Sequence, residues 1–401
     1  MIKESDENTM MGEKISFGGK SMKEFDLDKI YKARRERVAE FLRKEKIFAV
    51  VFEDTEGARD VAIRYLTGHP SDAILIITEK GESVLTAWDE NLMKEKAKAD
   101  RLIPYTVFER KKERAIREIL ASFSYAPKNA VVELPSVTSY LQFKKYEKEI
   151  EGWCIECREK GAHDAVVKMR AVKDEYEIDC TREACRITNG ITDLIETMAR
   201  NGEIKTETDV ALLIERKLRE AGCERTSFDT LAAGPERSFA IHAFPPYTNG
   251  AWPAQGLSIL DYGVCYEGYA SDATITIAKG KLTDEQEKQL ALTQQAFDEC
   301  LKLYKAGNKT KDAAAKADEI FASANRTMPH GLGHGTGLEI HEAPSVSMRA
   351  DDDVIFQVGN IVTLEPGLYD AHIGGCRLEN DVLITADGNE VLTNSRIIRI
   401  D

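Results

Sequence analysis

The sequence predicts an α+β protein in two parts, a smaller α/β unit followed by a larger domain of helices and antiparallel strands. Three observations predict this. From about residue 24 to 160, short apolar runs of strand composition alternate with charged amphipathic stretches. Beyond 160, long helical stretches give way to strand pairs bracketed by glycines. The length of 401 residues also exceeds what a single core usually organises.

The elements follow in order. Residues 1–23 are polar with scattered glycines and lack the apolar core of a secretory signal, so a disordered extension is expected. Residues 24–160 form the first unit. A charged amphipathic helix is predicted over 27–46 and another over 112–123, with strands at 47–52, 73–78, 83–86 and 130–134. This unit holds only His69 as an imidazole and shows no cluster of chemistry-bearing residues. Residues 161–401 form the second unit, opening with a long helix over about 173–201. A second helix follows Thr206, where Thr-Glu-Thr-Asp offers a cap and Gly222 a stop. Helices are also expected near 284–306 and 311–324. No period of 20 to 50 residues marks a repeat architecture.

Composition excludes some function classes. Lys and Arg number 55 against 69 Asp and Glu, a formal charge of −14 without a basic stripe, which argues against nucleic acid as the partner. No apolar run approaches the ~20 residues of a membrane helix. Eight scattered cysteines suit a reducing cytoplasm better than a disulfide framework. Cys154 and Cys157 have the spacing of redox and zinc motifs, but no second pair accompanies them and coincidence is the better reading.

The most informative segment is 260–272, in which Asp261 and Asp272 flank a glycine-bracketed turn between two strand-like runs. A regular hairpin folded between Tyr266 and Glu267 places the two aspartates directly across from each other. Like charges so placed are destabilising, so a cation between them is expected. A second pair repeats the arrangement: Glu365 and Glu379 face each other if the chain folds about His372. Between the two lies His330-Gly331-Leu332-Gly333-His334, continuing to His341 and Glu342, where glycines let the backbone crowd a site. Four buried carboxylates would repel one another, and two divalent ions would cancel their charge. Oxygen donors with one imidazole suit Mn, Co, Fe or Zn.

Taken singly, each of these residues has a bland reading. An Asp or Glu is usually a solvated charge and a lone His a packed or exposed ring. For His330 packing and function are balanced, while His69, His163 and His372 read as structural. Glu339 and Glu342 read as supporting or surface groups. The weight rests on order, spacing and setting.

The ordered set Asp261, Asp272, His334, Glu365 and Glu379 resembles the pita-bread metallopeptidases: methionine aminopeptidase, X-Pro aminopeptidase, X-Pro dipeptidase and their metal-free relative creatinase. The contexts carry the resemblance: Asp261-Tyr262-Gly263, Ser271-Asp272-Ala273-Thr274, the run from Gly333 to His341, Glu365-Pro366-Gly367 and Gly375-Cys376-Arg377-Leu378-Glu379. It covers about 160–401 strongly. Ile63-Arg64-Tyr65-Leu66-Thr67-Gly68 extends it, more weakly, to a creatinase-like N-terminal domain, which points to the X-Pro branch.

The resemblance implies a pita-bread catalytic domain and cleavage of an X-Pro bond at a peptide N-terminus. Two divalent ions, Mn or Co before Zn or Fe, would be held by the five residues. Asp272 and Glu379 would bridge them, and a shared water would be made nucleophilic. Glu365 would also carry a proton to the leaving nitrogen. His242 and His341 would act in catalysis and, with Arg377, contact the substrate, and Arg377 would also orient the carboxylates. A homodimer is implied too. Two departures stand out. Ile275 replaces an arginine common after the bridging aspartate, so a cation near the site is expected to be lost. The arginine that some prolidases place soon after His-Glu appears here only at Arg349, which weakens the dipeptidase reading and leaves X-Pro aminopeptidase and X-Pro dipeptidase both open. Two rivals remain: a peptide- or protein-binding module on the same fold, and a creatinase-like amidinohydrolase.

Overall fold

The computed structural model describes residues 23–401. The extension expected over 1–23 therefore lies, but for Lys23, outside the described residues.

The first unit is a six-stranded mixed sheet. Its spatial order is Arg101–Pro104, Ser83–Ala87, Ala73–Thr78, Ala49–Asp54, Val131–Leu134 and Cys154–Cys157. Alternate residues of the central strands enter different cores. Val50, Phe52, Leu75 and Ile77 pack with Val38 and Leu42 of the helix Leu27–Glu45. Ala49, Val51, Ile74 and Ile76 pack with Ile116, Ile119 and Leu120 of the helix Lys112–Ala121. Burial on both faces explains why these strands read as unbroken apolar runs. Cys154 and Cys157 stand three apart on an edge strand, so their side chains leave opposite faces and cannot act as a redox pair.

The second unit is built as two sheet-and-helix layers. The long helix Glu175–Arg200 starts at a capping box of Asp174 and Glu177, and Glu207–Glu220 at one of Thr206 and Asp209. Both cover the four-stranded sheet whose centre is Gly256–Tyr262 and Ala273–Lys279. The helices Asp284–Leu301 and Thr310–Ser323 cover a five-stranded sheet containing Gly333–Gly335, Ile361–Leu364 and Asn380–Thr385. The layers are joined by a bridge between Thr274 and Glu379.

Each layer contributes one of the hairpins expected to carry carboxylates, and their registers differ in how well they were foreseen. In the second, Leu364 pairs with Asn380 and Gly367 with Arg377, which puts Glu365 across from Glu379. In the first, Asp261 pairs with Thr274 rather than facing Asp272, so the two aspartates are diagonal neighbours on one face. The turn lies one position later than expected, at Glu267-Gly268, between the paired Tyr266 and Tyr269. Both turn residues have positive φ, +47° and +84°. Such a two-residue turn matches the twist of the strands and favours glycine in it. The expected fold point would have forced Tyr266 and Glu267 into that conformation.

Candidate metal centre

The site forms where the two layers meet. Thr274 and Thr276 stitch the first hairpin to the second. Thr276 Oγ1 donates to the Arg377 carbonyl (2.8 Å), and Thr274 Oγ1 donates to Glu379 Oε2 (2.6 Å). The backbone N–H of Glu379 donates to the Thr274 carbonyl (3.2 Å). Asp272 is held from behind, its N–H donating to Oδ2 of the buried Asp381 (2.8 Å). His334 sits in the short strand Gly333–Gly335, packed so closely on its neighbours that a Cβ at Gly333 would lie 2.0 Å from the Thr363 carbonyl oxygen. The Nδ1–H of His334 donates to the Gly335 carbonyl (3.0 Å), which leaves the Nε2 lone pair free. Nε2 lies 3.6 Å from Asp272 Oδ2 and 3.5 Å from Glu365 Oε1.

Asp272, His334 and Glu379 each offer a ligand atom within 4.8 Å of the others. Asp261 and Glu365 line the same cavity, of about 580 Å³. Asp261 is turned toward Arg377, whose Nη2 donates to Oδ2 (2.5 Å). Its other oxygen, Oδ1, is buried without a hydrogen-bond partner among the described residues. The Arg377 guanidinium also donates to Thr274 Oγ1, the Ile241 carbonyl and the Tyr369 hydroxyl. His242 and His341 line the cavity as well, and the His341 ring lies 4.3 Å from that of His334.

Three buried carboxylates and the partly exposed Glu365 therefore share one guanidinium. Burial, then the charges of Glu379 and Asp261, push the Asp272 carboxyl well above its usual range. Burial, then Glu365 and Asp261, do the same to Glu379. Burial raises Glu365 to about 7 against the pull of Arg377. Burial, helped by the neighbouring His341, lowers His334 to about 4, so its ring is neutral. These groups fit a cation: an orphaned buried oxygen, a neutral imidazole with a free nitrogen, and carboxylates whose charge the protein leaves uncompensated. The donor set is oxygen-rich with one nitrogen. Cys376 is buried in an apolar cluster with Leu257 and Leu290, so no thiolate joins it.

Other expectations fare unevenly. The cation thought lost at Ile275 is not missing from this site. Ile275 is fully buried among Tyr262, Val264 and Ile277, on the strand face opposite Thr274, so a side chain there points away from the carboxylates. The cation of the site is Arg377. Arg349 is exposed and does not line the cavity. His69, His163 and His372 lie outside it, whereas His330 lines it, with Nδ1 3.8 Å from Glu365 Oε2. Glu342 is buried in an ion cluster with Arg170 and Lys173. Sequence reasoning missed Tyr369, whose hydroxyl joins Arg377 (2.8 Å) to His330 (3.0 Å), and nothing local marks it. It also missed Thr274 and Asp381, which alternation along the strands could have placed on the ligands' face.

The model of metallopeptidase family M24 matches residues 179–386, more than half of the chain. An Xaa-Pro dipeptidase of Pyrococcus horikoshii is 30% identical over 366 residues, covering 90% of this chain and 96% of that protein. The chain belongs to metallopeptidase family M24. The crystal structure of a prolidase from P. horikoshii superposes with a TM-score of 0.78 at 26% identity, over 91% of this chain and 99% of that one. An X-Pro aminopeptidase from Thermotoga maritima superposes with a TM-score of 0.79 at 25% identity, over 91% and 99%. This M24 chain thus has the pita-bread α+β architecture and is a metallo-exopeptidase that depends on divalent metal. One of these solved relatives is named a prolidase and the other an X-Pro aminopeptidase, and the chain resembles them about equally.

Proposed function

We propose that the protein hydrolyses the X-Pro bond at the N-terminus of a peptide, using two divalent cations held by Asp261, Asp272, His334, Glu365 and Glu379. The observation that carries this reading is the convergence of these five side chains on one cavity with three negative charges unmatched by the protein. Two such cations, Mn or Co, would lower the pKa of a bound water and polarise the scissile carbonyl. The chain's own residues do the rest. Arg377 and Thr274 fix the orientation of Asp261 and Glu379 by charge-assisted hydrogen bonds. Asp381 fixes the backbone of Asp272. Glu365 takes a proton from the attacking water and gives it to the proline nitrogen as the bond breaks. His341 and His242 donate hydrogen bonds to the substrate carbonyl and to the oxyanion that develops on it.

Arg349, the nearest arginine after the His-Glu step, stands outside the cavity and gives a dipeptide's terminal carboxylate no partner there, whereas the relative of matching length is an Xaa-Pro dipeptidase, so substrate length is left to experiment. The proposal includes a cytoplasmic setting, with which eight free cysteines agree, and a homodimer. Among the described residues no helix is long and apolar enough to cross a membrane. The test is dialysis against a chelator followed by readdition of Mn or Co, with an X-Pro dipeptide and an X-Pro-Y-Z peptide as substrates. Activity should vanish and return, and cleavage of the longer peptide would make the protein an aminopeptidase. Turnover indifferent to both treatments would refute the metal chemistry. Cleavage of the dipeptide alone would make the protein a dipeptidase.

A further inference from the structure

The long helix Glu175–Arg200 packs on the first hairpin, and its threonines divide into two kinds. Thr181 Oγ1 donates to the Glu177 carbonyl (3.1 Å) and Thr197 Oγ1 to the Asp193 carbonyl (2.9 Å). This is the ordinary habit of a helical threonine, which bonds its own backbone one turn back. Thr188 and Thr192 depart from it. The Thr188 hydroxyl pairs with the Ser271 hydroxyl (2.7 Å). Thr192 Oγ1 donates to the Tyr262 hydroxyl (2.8 Å), which in turn donates to the Thr188 carbonyl (2.9 Å). The Cys185 thiol, on the same side of the helix, lies 3.4 Å from Asp381 Oδ2, the oxygen that accepts the Asp272 N–H (2.8 Å). Spacings of three and four put Cys185, Thr188 and Thr192 on one helix face. All three are buried, beside Ala184, Ile187, Ile191 and Ile195 of the apolar core.

Every partner of this polar row adjoins a metal-ligand candidate. Tyr262 follows Asp261 and Ser271 precedes Asp272. Both are buried and neither lines the catalytic cavity, so each is turned to the helix while its neighbour is turned to the site. Asp381 belongs to the strand Asn380–Thr385 of the other layer, two residues beyond Glu379. Through Asp381 the row therefore reaches both layers at the point where their ligands meet. Buried hydroxyls cost free energy unless they are paired, and valine or alanine would fill the same core without that demand. Packing alone thus does not call for three polar groups here. Groups that hydrogen-bond behind metal ligands fix their orientation, and losing one costs about 10–100-fold in metal affinity or activity.

We propose that Cys185, Thr188 and Thr192 are positioning residues of the metal centre, holding Asp261 and Asp272 from behind. This rests on the metal reading of the five ligands. The test is calorimetric titration of Mn, and in parallel of Co, into the chelator-stripped full-length protein. It is joined to kcat and KM for an X-Pro substrate at saturating metal. Thr188→Val and Cys185→Ala should each weaken metal binding about tenfold and lower kcat while KM stays unchanged. Thr188→Ser and Cys185→Ser keep a hydroxyl donor and should restore most of both losses. Thr181→Val is the control: the same change on the same helix, at a position equally buried, removes a bond to the helix's own backbone. It should leave metal affinity and kcat at wild-type values even where it lowers the melting temperature. Equal losses in Thr181→Val and Thr188→Val, or losses that serine does not restore, would reduce the row to helix packing and overturn the proposal. Wild-type metal affinity in folded Thr188→Val and Cys185→Ala would overturn it too, and would leave the metal reading standing. A wild-type protein that takes up neither metal would refute the metal reading and the positioning role together.

Discussion

Two buried charge clusters lie on either side of His341, and they are balanced in opposite ways. In one, Glu342 meets Arg170 (2.5 Å) and Lys173 (3.1 Å), with side chains 3%, 5% and 0% exposed. Burial alone would raise the Glu342 carboxyl, but Lys173 and Arg170 outweigh it and hold it at about 2. In the other, Asp261, Asp272, Glu365 and Glu379 share one arginine, and the carboxyls of Asp272, Glu365 and Glu379 are pushed up. The first cluster is complete within the protein and serves to hold a loop. The second is complete only with added positive charge. Charge balance, more than the mere presence of buried acids, separates a structural ion cluster from a metal centre.

The contrast can be broken by experiment, most severely at the unbalanced cluster. Asp272→Ala should reduce peptidase activity to background and lower the bound metal per chain, as measured by elemental analysis. Wild-type turnover in that variant would remove Asp272 from the metal site. His242→Ala should cost roughly a hundredfold in kcat, in the range of a lost proton-transfer or hydrogen-bonding partner, with metal content unchanged. Metal loss there would mean that His242 is a ligand.

At the balanced cluster the effect should be on stability. Glu342→Gln leaves the buried Lys173 without its anion and Arg170 with Glu339 alone, and should cost about 3 kcal/mol in denaturant unfolding. A change within error would show that the cluster is not structural.

Titration should then separate the two clusters by sign. Glu342, with a lowered folded pKa, contributes stability above the unfolded carboxyl value of about 4, and this is lost as pH falls toward about 2. Glu365 in the metal-free protein has a raised folded pKa. Its contribution is complete below about 4 and lost as pH rises through about 7. Urea midpoints of chelator-treated protein should therefore fall from pH 4 to 7, and bound metal should remove that fall. A metal-free protein that gains stability over this range would contradict the assignment. The smallest effect is expected at Ile275→Val, about 1 kcal/mol with unchanged activity. A loss of activity without loss of stability would place residue 275 on the site after all.

Much of this was legible in the residues alone. The apolar runs of the first sheet, the capping boxes at Asp174 and Thr206, and the facing of Glu365 and Glu379 all follow from short-range rules of strand period, helix capping and turn position. The donor types were legible as well, because carboxylates and imidazole declare their chemistry without coordinates. The register of the first hairpin was missed by one turn position, since the demand for positive φ at Glu267-Gly268 outweighed the attraction of a symmetric pair. Only the tertiary structure decided that Ile275 faces the core, that Tyr369 joins Arg377 to His330, and that Arg170 reaches Glu342 across 172 positions. Such contacts depend on how separate layers pack, and no periodicity within a segment records what another segment will bring against it.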